Sequence, residues 1–309
     1  MNEKIWDVVV VGGGPAGYTA ALYSVRAGLS VLVLEMLAPG GQLATTSKID
    51  NYPGFENGIG GFELAQQMQV QAENLGVETL YAGADKLDLV SNPKKLYTSE
   101  GEILARTVMI ATGASPRHMG IEAEERLQGM GVTYCATCDG MFYRGKTVAV
   151  AGGGNSAAED ALYLSKLCKK VYIVHRRDTL RAAKSSWGPL NSAENIEFLW
   201  NNRVVDLEGE DHLTAMVLEN TKDGSKQTVP IDGLFVAIGR KPNAELVADQ
   251  LEVDDYGYIV ADETTRTSIP GVFAVGDVRQ KPLRQVVTAV ADGAVASKYA
   301  EEYLNALEK

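Results

Sequence analysis

Val8-Val9-Val10-Val11 is an unbroken apolar run, the pattern of a strand buried on both faces of a parallel sheet. A glycine-rich turn, Gly12-Gly13-Gly14-Pro15-Ala16-Gly17, follows at once, and a helical stretch runs from Tyr18 to Ala27. A second apolar strand, Val31-Leu32-Val33-Leu34, ends at Glu35. The same series returns 140 residues after Gly12, as Val148-Ala149-Val150, Gly152-Gly153-Gly154-Asn155-Ser156-Ala157, a helix and Val171-Tyr172-Ile173-Val174. Ala21-Leu22-Tyr23 and Ala161-Leu162-Tyr163 occupy matched positions in the two copies. A weaker repeat relates Val108-Met109-Ile110-Ala111-Thr112-Gly113 to Leu234-Phe235-Val236-Ala237-Ile238-Gly239, each running on to a proline, Pro116 or Pro242. Both read as buried strands that end at a glycine where the chain changes direction, and so as crossings between domains. The predicted fold is α/β, with two Rossmann-like three-layer nucleotide-binding domains, one inserted into the other. Residues 1–115 and 245–309 form the outer domain and 116–244 the insert, with a closing helix from Gly293 to Leu307.

The mismatches between the copies carry chemistry. In the first, Gly12 permits the tight turn, Gly14 lets backbone amides approach a pyrophosphate, and Gly17 lets the helix pack on the strand. Glu35, 23 residues beyond Gly12, is placed to accept hydrogen bonds from ribose hydroxyls. In the second copy His175 stands where Glu35 stood, and Arg176, Arg177 and Arg181 follow. A carboxylate there would repel a ribose 2′-phosphate, whereas guanidinium groups bind phosphate bidentately. The first loop therefore predicts a cofactor with free ribose hydroxyls, and the second, with Gly152, Gly154, Asn155 and Ser156, predicts NADPH. The competing reading of the arginines is a solvated basic strand end.

Cys135-Ala136-Thr137-Cys138-Asp139 lies between strand-like Gly131–Tyr134 and the second loop. Two thiols at this spacing can close a small disulfide ring and so carry two electrons, and the adjoining carboxylate could move the proton that thiol chemistry requires. Asp139 could instead cap the next helix. A zinc knuckle would need a second ligand pair, and His118, His175 and His212 are scattered without ligand spacing, so no metal is predicted. An inert buried thiol pair is the other alternative.

The formal charge of −11, from 29 basic and 40 acidic side chains, argues against a general nucleic-acid or anionic-membrane surface. No apolar run reaches the roughly 18 residues of a membrane helix, and Met1–Asp7 shows no signal-peptide apolar region. Three cysteines make no disulfide scaffold, so the chain reads as soluble and cytoplasmic.

The CATCDG segment, both glycine loops, His175-Arg176-Arg177 with Arg181, and Gly271-Val272-Phe273-Ala274-Val275-Gly276-Asp277 together resemble bacterial-type (low-molecular-weight) thioredoxin reductase across essentially the whole chain. The resemblance implies an FAD-containing homodimer. It passes electrons from NADPH through flavin and the Cys135–Cys138 disulfide to thioredoxin, and its NADPH domain rotates between half-reactions. It places Gly12, Gly14, Gly17 and Glu35 at the adenosine end of FAD. Gly41, Gln42 and Asn51 fall in a flavin-contacting segment, Gly276 and Asp277 at the ribityl–pyrophosphate region, and Arg284-Gln285 at the helix start near the isoalloxazine. Cys138 is implied as the thiol nearer the flavin, Cys135 as the one that attacks the partner, and Asp139 as the acid–base group. His118, Arg240 and Lys241 have no role in this pattern. A flavin reductase of another thioredoxin-like or glutaredoxin-like protein remains an alternative, as does a redox-sensing module without turnover. A related ferredoxin oxidoreductase would lack the CxxC pair.

Overall fold

The computed structural model describes residues 4–46 and 48–308, so the first three residues of the stretch read as lacking a leader lie outside them. The chain divides into two compact units, residues 1–115 with 241–309, and residues 116–240. In chain order the first unit opens with β1 (Ile5–Val11), α1 (Pro15–Arg26), β2 (Val31–Leu34), α2 (Gly61–Glu73), β3 (Glu78–Leu80), β4 (Ala84–Asp88), β5 (Lys94–Thr98) and β6 (Gly101–Ile110). β7 (Ala114–Pro116) follows, then the second unit, with α3 (Glu122–Arg126), β8 (Val132–Thr133), α4 (Ala136–Asp139), β9 (Thr147–Gly152), α5 (Asn155–Ser165), β10 (Lys170–His175) and α6 (Lys184–Ser192). It continues through β11 (Ile196–Trp200), β12 (Asn202–Glu208), β13 (Ala215–Asn220), β14 (Lys226–Pro230) and β15 (Gly233–Ala237). The return strand is β16 (Arg240–Pro242), and the first unit closes with β17 (Val272–Ala274) and α7 (Val286–Leu307).

A seven-stranded sheet of order β3-β2-β1-β6-β5-β4 organises the first unit. The long β6 serves two partners on one edge, antiparallel β5 at residues 101–105 and parallel β17 at 108–110. The valine run of β1 explains itself here. Val8 and Val10 pack with α1 and α7 residues such as Ala20 and Ala296, while Val9 and Val11 pack with Val247, Leu251 and Ile259 on the other face. Both faces are buried, so no polar alternation is possible.

The second unit has a five-stranded parallel sheet, β11-β10-β9-β15-β8, and a three-stranded antiparallel sheet, β12-β13-β14. Val148 and Val150 pack against α5 residues Ala157, Ala161 and Leu164. Ala149 and Ala151 pack against Leu207, Met216 and Leu218 of the antiparallel sheet. Here the three layers are helices, parallel sheet and antiparallel sheet.

Two boundaries differ from the sequence reading. The division between the units falls at Arg240/Lys241 rather than at residues 244 and 245. The reason is that Asn243 N donates to Gly113 O (3.0 Å) and Ala244 and Val247 join the core of the first unit. The closing helix begins at Val286, seven residues before Gly293, with Gln285 and Thr288 forming a reciprocal capping box. Gly293 is instead a close-approach position, because a Cβ there would lie 2.4 Å from Ala16 O on α1. No helix of the described residues is long and apolar enough to cross a membrane.

Candidate functional site

In the first unit the glycines of the loop divide into two kinds. A Cβ on Gly17 would fall 1.9 Å from Gly12 O, and one on Gly12, whose φ is +111°, would fall 2.5 Å from Ala111 O. Those two are demanded by the protein's own packing. Gly14 is different, with ordinary extended backbone (φ −83°, ψ −175°) and nothing nearer to its missing Cβ than Gly40 O at 4.0 Å. At a helix N-cap, where Ser, Thr, Asp or Asn is favoured, this bare position leaves room for a ligand beside the helix N-terminus.

The other sequence-predicted residues of this unit gather around the loop. Glu35 Oε2 accepts from Gly13 N (2.8 Å) and Oε1 accepts from Leu37 N (3.1 Å). Gly40 N donates to Gly13 O (2.8 Å), which brings the exposed Gly41 and Gln42 to the loop as the start of a 3₁₀ turn. Gly276 lies against Ala16, since a Cβ on it would sit 2.8 Å from the alanine methyl. Asp277 follows it in a second 3₁₀ turn, and Arg284 Nε donates to Asp277 O (3.4 Å) with its guanidinium 3.8 Å from the Tyr258 ring centre. Asn51 Nδ2 donates to Gln285 Oε1 (3.0 Å), joining the remaining pair.

Beneath these residues lies a charged cluster with no signature in the sequence. Asp292 of α7 is buried and accepts from Arg279 Nε (2.9 Å), Arg279 Nη2 (2.8 Å), Lys281 Nζ (2.7 Å) and Gly276 N (2.9 Å). Burial pushes its carboxyl up, but the hydrogen bonds and charges of Arg279 and Lys281 outweigh that and hold it below the usual carboxylate range. The Gly276-Asp277 turn is thereby pinned to the helix.

The second unit repeats the loop geometry. A Cβ on Gly152 (φ +157°) would meet Ala237 O at 2.4 Å, as Gly12 meets Ala111 O, so the two weak-repeat strands play the same part in each unit. Gly154, again extended (φ −93°, ψ −174°), has nothing within 4 Å of its missing Cβ. Arg181 N donates to Gly153 O (2.7 Å), the counterpart of the Gly40–Gly13 bond, so Arg181 is carried to the loop. Asn155 Oδ1 accepts from Ala183 N (2.8 Å), and Ser156 is exposed in the first turn of α5.

His175 replaces Glu35 in space as well as in sequence, its ring lying where a Cβ on Gly153 would be 2.3 Å from Cε1. Its Nε2 is buried without a hydrogen-bond partner among the described residues. Burial first, then the charges of Arg181, Arg176 and Arg177, hold the imidazole below its usual pKa and therefore neutral. The side chains of Arg176, Arg177 and Arg181 are exposed, and none forms an ion pair among the described residues. They are available to an anion.

In the same unit Cys135 and Cys138 form a disulfide with Cα atoms 5.3 Å apart. Cys135 is the N-cap of α4, and both cysteines are half-buried. Cys168 is a buried free thiol, pushed up to about 11 by burial, as suits an inert core residue. Asp139 ends α4 and makes no side-chain cap hydrogen bond. Its Oδ2 accepts instead from the Thr133 hydroxyl. Burial raises its carboxyl above the usual range and the Thr133 bond partly opposes this. The helix-cap alternative for Asp139 thus lacks its hydrogen bond.

Three residues without a sequence role acquire partners. Tyr134 OH donates to Glu124 Oε1 (2.8 Å) and lies 2.8 Å from His118 Nδ1. Arg240 Nη2 donates to Tyr134 O (3.5 Å), and Lys241 pairs with Glu245 at the surface. Asp160 on α5, not singled out by sequence, is pushed up to about 6 by burial and by Glu159, against the opposing charge of Arg240.

Two dinucleotide-type glycine loops, one with a carboxylate and one with an arginine cluster, together with a CxxC disulfide, define a disulfide oxidoreductase of the two-dinucleotide-domain class. The pyridine nucleotide-disulphide oxidoreductase family profile matches residues 6–293. A thioredoxin reductase from Listeria monocytogenes is 43% identical over 311 residues, with 100% of this chain and 97% of the relative covered. A bifunctional thioredoxin reductase/thioredoxin from Mycobacterium leprae is 44% identical over 98% of this chain and 67% of its own length. The crystal structure of thioredoxin reductase from Streptococcus pyogenes superposes with a TM-score of 0.92 at 42% identity, covering 98% of this chain and 99% of the other. The chain belongs to the thioredoxin reductases, within the pyridine nucleotide-disulphide oxidoreductase family.

Proposed function

We infer that this chain is an NADPH-dependent thioredoxin-disulfide reductase that uses FAD. The observation that carries the reading is the Cys135–Cys138 disulfide, held in the same unit as a glycine loop flanked by Arg176, Arg177 and Arg181. The donor sets suit the two nucleotides. Gly14 and Gly154 leave bare N-caps where a side chain would obstruct a pyrophosphate, and Glu35 presents a carboxylate to ribose hydroxyls. The guanidinium groups suit a 2′-phosphate, and the neutral His175 adds no charge of its own.

FAD, when bound, supplies the two-electron chemistry that connects the nicotinamide to the disulfide. Gly12, Gly14, Gly17, Glu35, Gly41, Gln42, Asn51, Gly276, Asp277, Arg284 and Gln285 are the residues proposed to hold it. Gly152, Gly154, Asn155, Ser156, His175, Arg176, Arg177 and Arg181 are proposed to hold NADPH. Cys138 is assigned to accept electrons and Cys135 to attack the disulfide of thioredoxin, with Asp139 moving the proton. Because the disulfide and the NADPH loop share one unit, the two half-reactions call for different placements of that unit, and the crossings at Gly113 and Gly239 are the proposed hinges. One relative is named both reductase and thioredoxin, which favours thioredoxin as the acceptor. The family resemblance extends the reading to a homodimer in the cytoplasm.

The test is turnover of the purified holoprotein with thioredoxin from the same organism, comparing NADPH with NADH. NADPH is expected to be preferred. Replacing Arg176 and Arg177 by Ala is expected to lower kcat/KM for NADPH by roughly ten- to a hundredfold, as loss of charge-assisted bonds implies, while leaving NADH nearly unchanged. Equal use of both nucleotides by the parent would overturn the arginine assignment.

A further inference from the structure

Thr133 is a buried residue at the end of β8, two positions before the first cysteine and six before Asp139. Backbone pairing of β8 with β15 sets Thr133 opposite Phe235, so its Cα is fixed by the parallel sheet rather than by the cysteine loop. As a β-branched residue on a strand it has few χ1 states. Its hydroxyl has one proton and two lone pairs, and both functions are engaged. The proton goes to Asp139 Oδ2, and Oγ1 accepts the backbone N–H of Cys135 (3.3 Å). Elsewhere in the chain a buried threonine hydroxyl finds a main-chain carbonyl, as Thr107 does at Asp7 O. Thr133 has turned to a carboxylate instead.

We propose that Thr133 is a positioning residue for the thiol–disulfide reaction, its hydroxyl linking the Cys135 backbone to the Asp139 carboxylate so that the proton-transfer group is fixed relative to the sulfurs. This rests on the reading of Asp139 as the acid–base group. When the Cys135–Cys138 bond breaks, it takes up two electrons ultimately from NADPH, and one of the two resulting thiolates takes a proton. Asp139 gives that proton and is left as the carboxylate. The hydroxyl of Thr133 stays bonded to that carboxylate, so it favours the ionised form and holds its oxygens in place. Without the hydroxyl, burial alone would govern Asp139, and its carboxyl would rise further.

Few other ionisable groups face this carboxylate. Tyr143, on the turn that follows α4, feels the charges of both Asp139 and Asp232, but burial pushes it up to about 12, so it stays neutral across the working range. Lys146 Nζ lies 5.4 Å from the centre of the Tyr143 ring, and from α5 Tyr163 packs against Gly140. From α5, which packs against α4, Asp160 is also pushed up, to about 6, by burial and by Glu159, so the Asp139→Asn variant is what separates its titration from that of Asp139.

The test uses the holoprotein with Thr133→Val, which removes only the hydroxyl while keeping the shape, and Thr133→Ser, which restores it. Two quantities are read: the Asp139 carboxyl midpoint by ¹³C NMR, assigned by its loss in Asp139→Asn, and the pH profile of kcat/KM for thioredoxin. In Thr133→Val the midpoint is expected to rise by about one pH unit, the worth of a hydrogen bond to a charged group. The profile limb governed by Asp139 should move upward with it, and Thr133→Ser should return both to the parental values. An unchanged midpoint in the valine variant, or a serine variant that behaves like valine, would overturn the proposal. If Asp139→Asn leaves the pH profile intact, the acid–base reading of Asp139 fails instead, a result separable because the midpoint still reports on the Thr133 bond.

Discussion

At the scale of single residues, the most informative comparison is between glycines that the protein needs and glycines that only a ligand needs. Gly152 would drive a Cβ to 2.4 Å from Ala237 O, whereas Gly154 faces open space with unstrained backbone. Gly154→Ser should therefore keep the apoprotein's stability, since serine is a better N-cap than glycine, yet weaken NADPH binding by roughly tenfold or more through overpacking against the phosphates. Calorimetric titration with NADPH and denaturant unfolding of the same variant separate the two. Equal affinity for NADPH would mean that the bare N-cap is not a nucleotide cradle. The fingerprint glycines were legible in sequence because their spacing encodes backbone approach. The Asp139 partner was not, because Thr133 reaches it only once a strand and a helix turn are folded back on each other.

At the scale of elements, α7 and the turn before it depend on one buried carboxylate. Asp292 satisfies Arg279, Lys281 and the Gly276 N–H together, so removing it leaves two cations without their shared partner in a dry place. Asp292→Ala is expected to destabilise the first unit by about 3 kcal/mol or more, measured by denaturant unfolding near neutral pH. The pH dependence has a definite sign. A carboxyl held below its unfolded value contributes fully above about pH 4, and that contribution is lost as pH falls through the folded value. The gap between parent and variant should thus hold steady from neutrality to about pH 4 and close below it. A gap that widens in acid would contradict the assignment.

Elements buried on both faces were plain in the sequence, because β1, β2, β9 and β10 are almost wholly apolar. The antiparallel β12–β14 layer was not read. It covers the parallel sheet with one face only: β14 (Lys226–Pro230) is mostly exposed, and the short apolar run of β13, Ala215–Leu218, is not flanked by strands of the same kind. The true start of α7 was hidden for another reason. Gly293 looks like a helix boundary but is a point of close contact with α1, and contacts between helices distant in sequence leave no periodic mark.

At the scale of the whole molecule, one design is used twice. Each unit sets its first loop glycine against an alanine carbonyl, Ala111 or Ala237, at the end of a buried strand. Each then brings a second segment to the middle glycine through one hydrogen bond, Gly40 N to Gly13 O or Arg181 N to Gly153 O. What differs is the group laid over that glycine, a carboxylate in the first unit and a neutral imidazole amid arginines in the second. On the proposed reading this difference distinguishes the two cofactors, and the disulfide in the second unit is the proposed exit for electrons.

The most direct test of that path is a pair of anaerobic half-reactions on the holoprotein and its Cys138→Ser variant. NADPH should bleach the flavin absorbance in both proteins, and only the parent should go on to reduce thioredoxin. Reduction of thioredoxin at the parental rate by the variant would show that electrons leave by another route and would contradict the account.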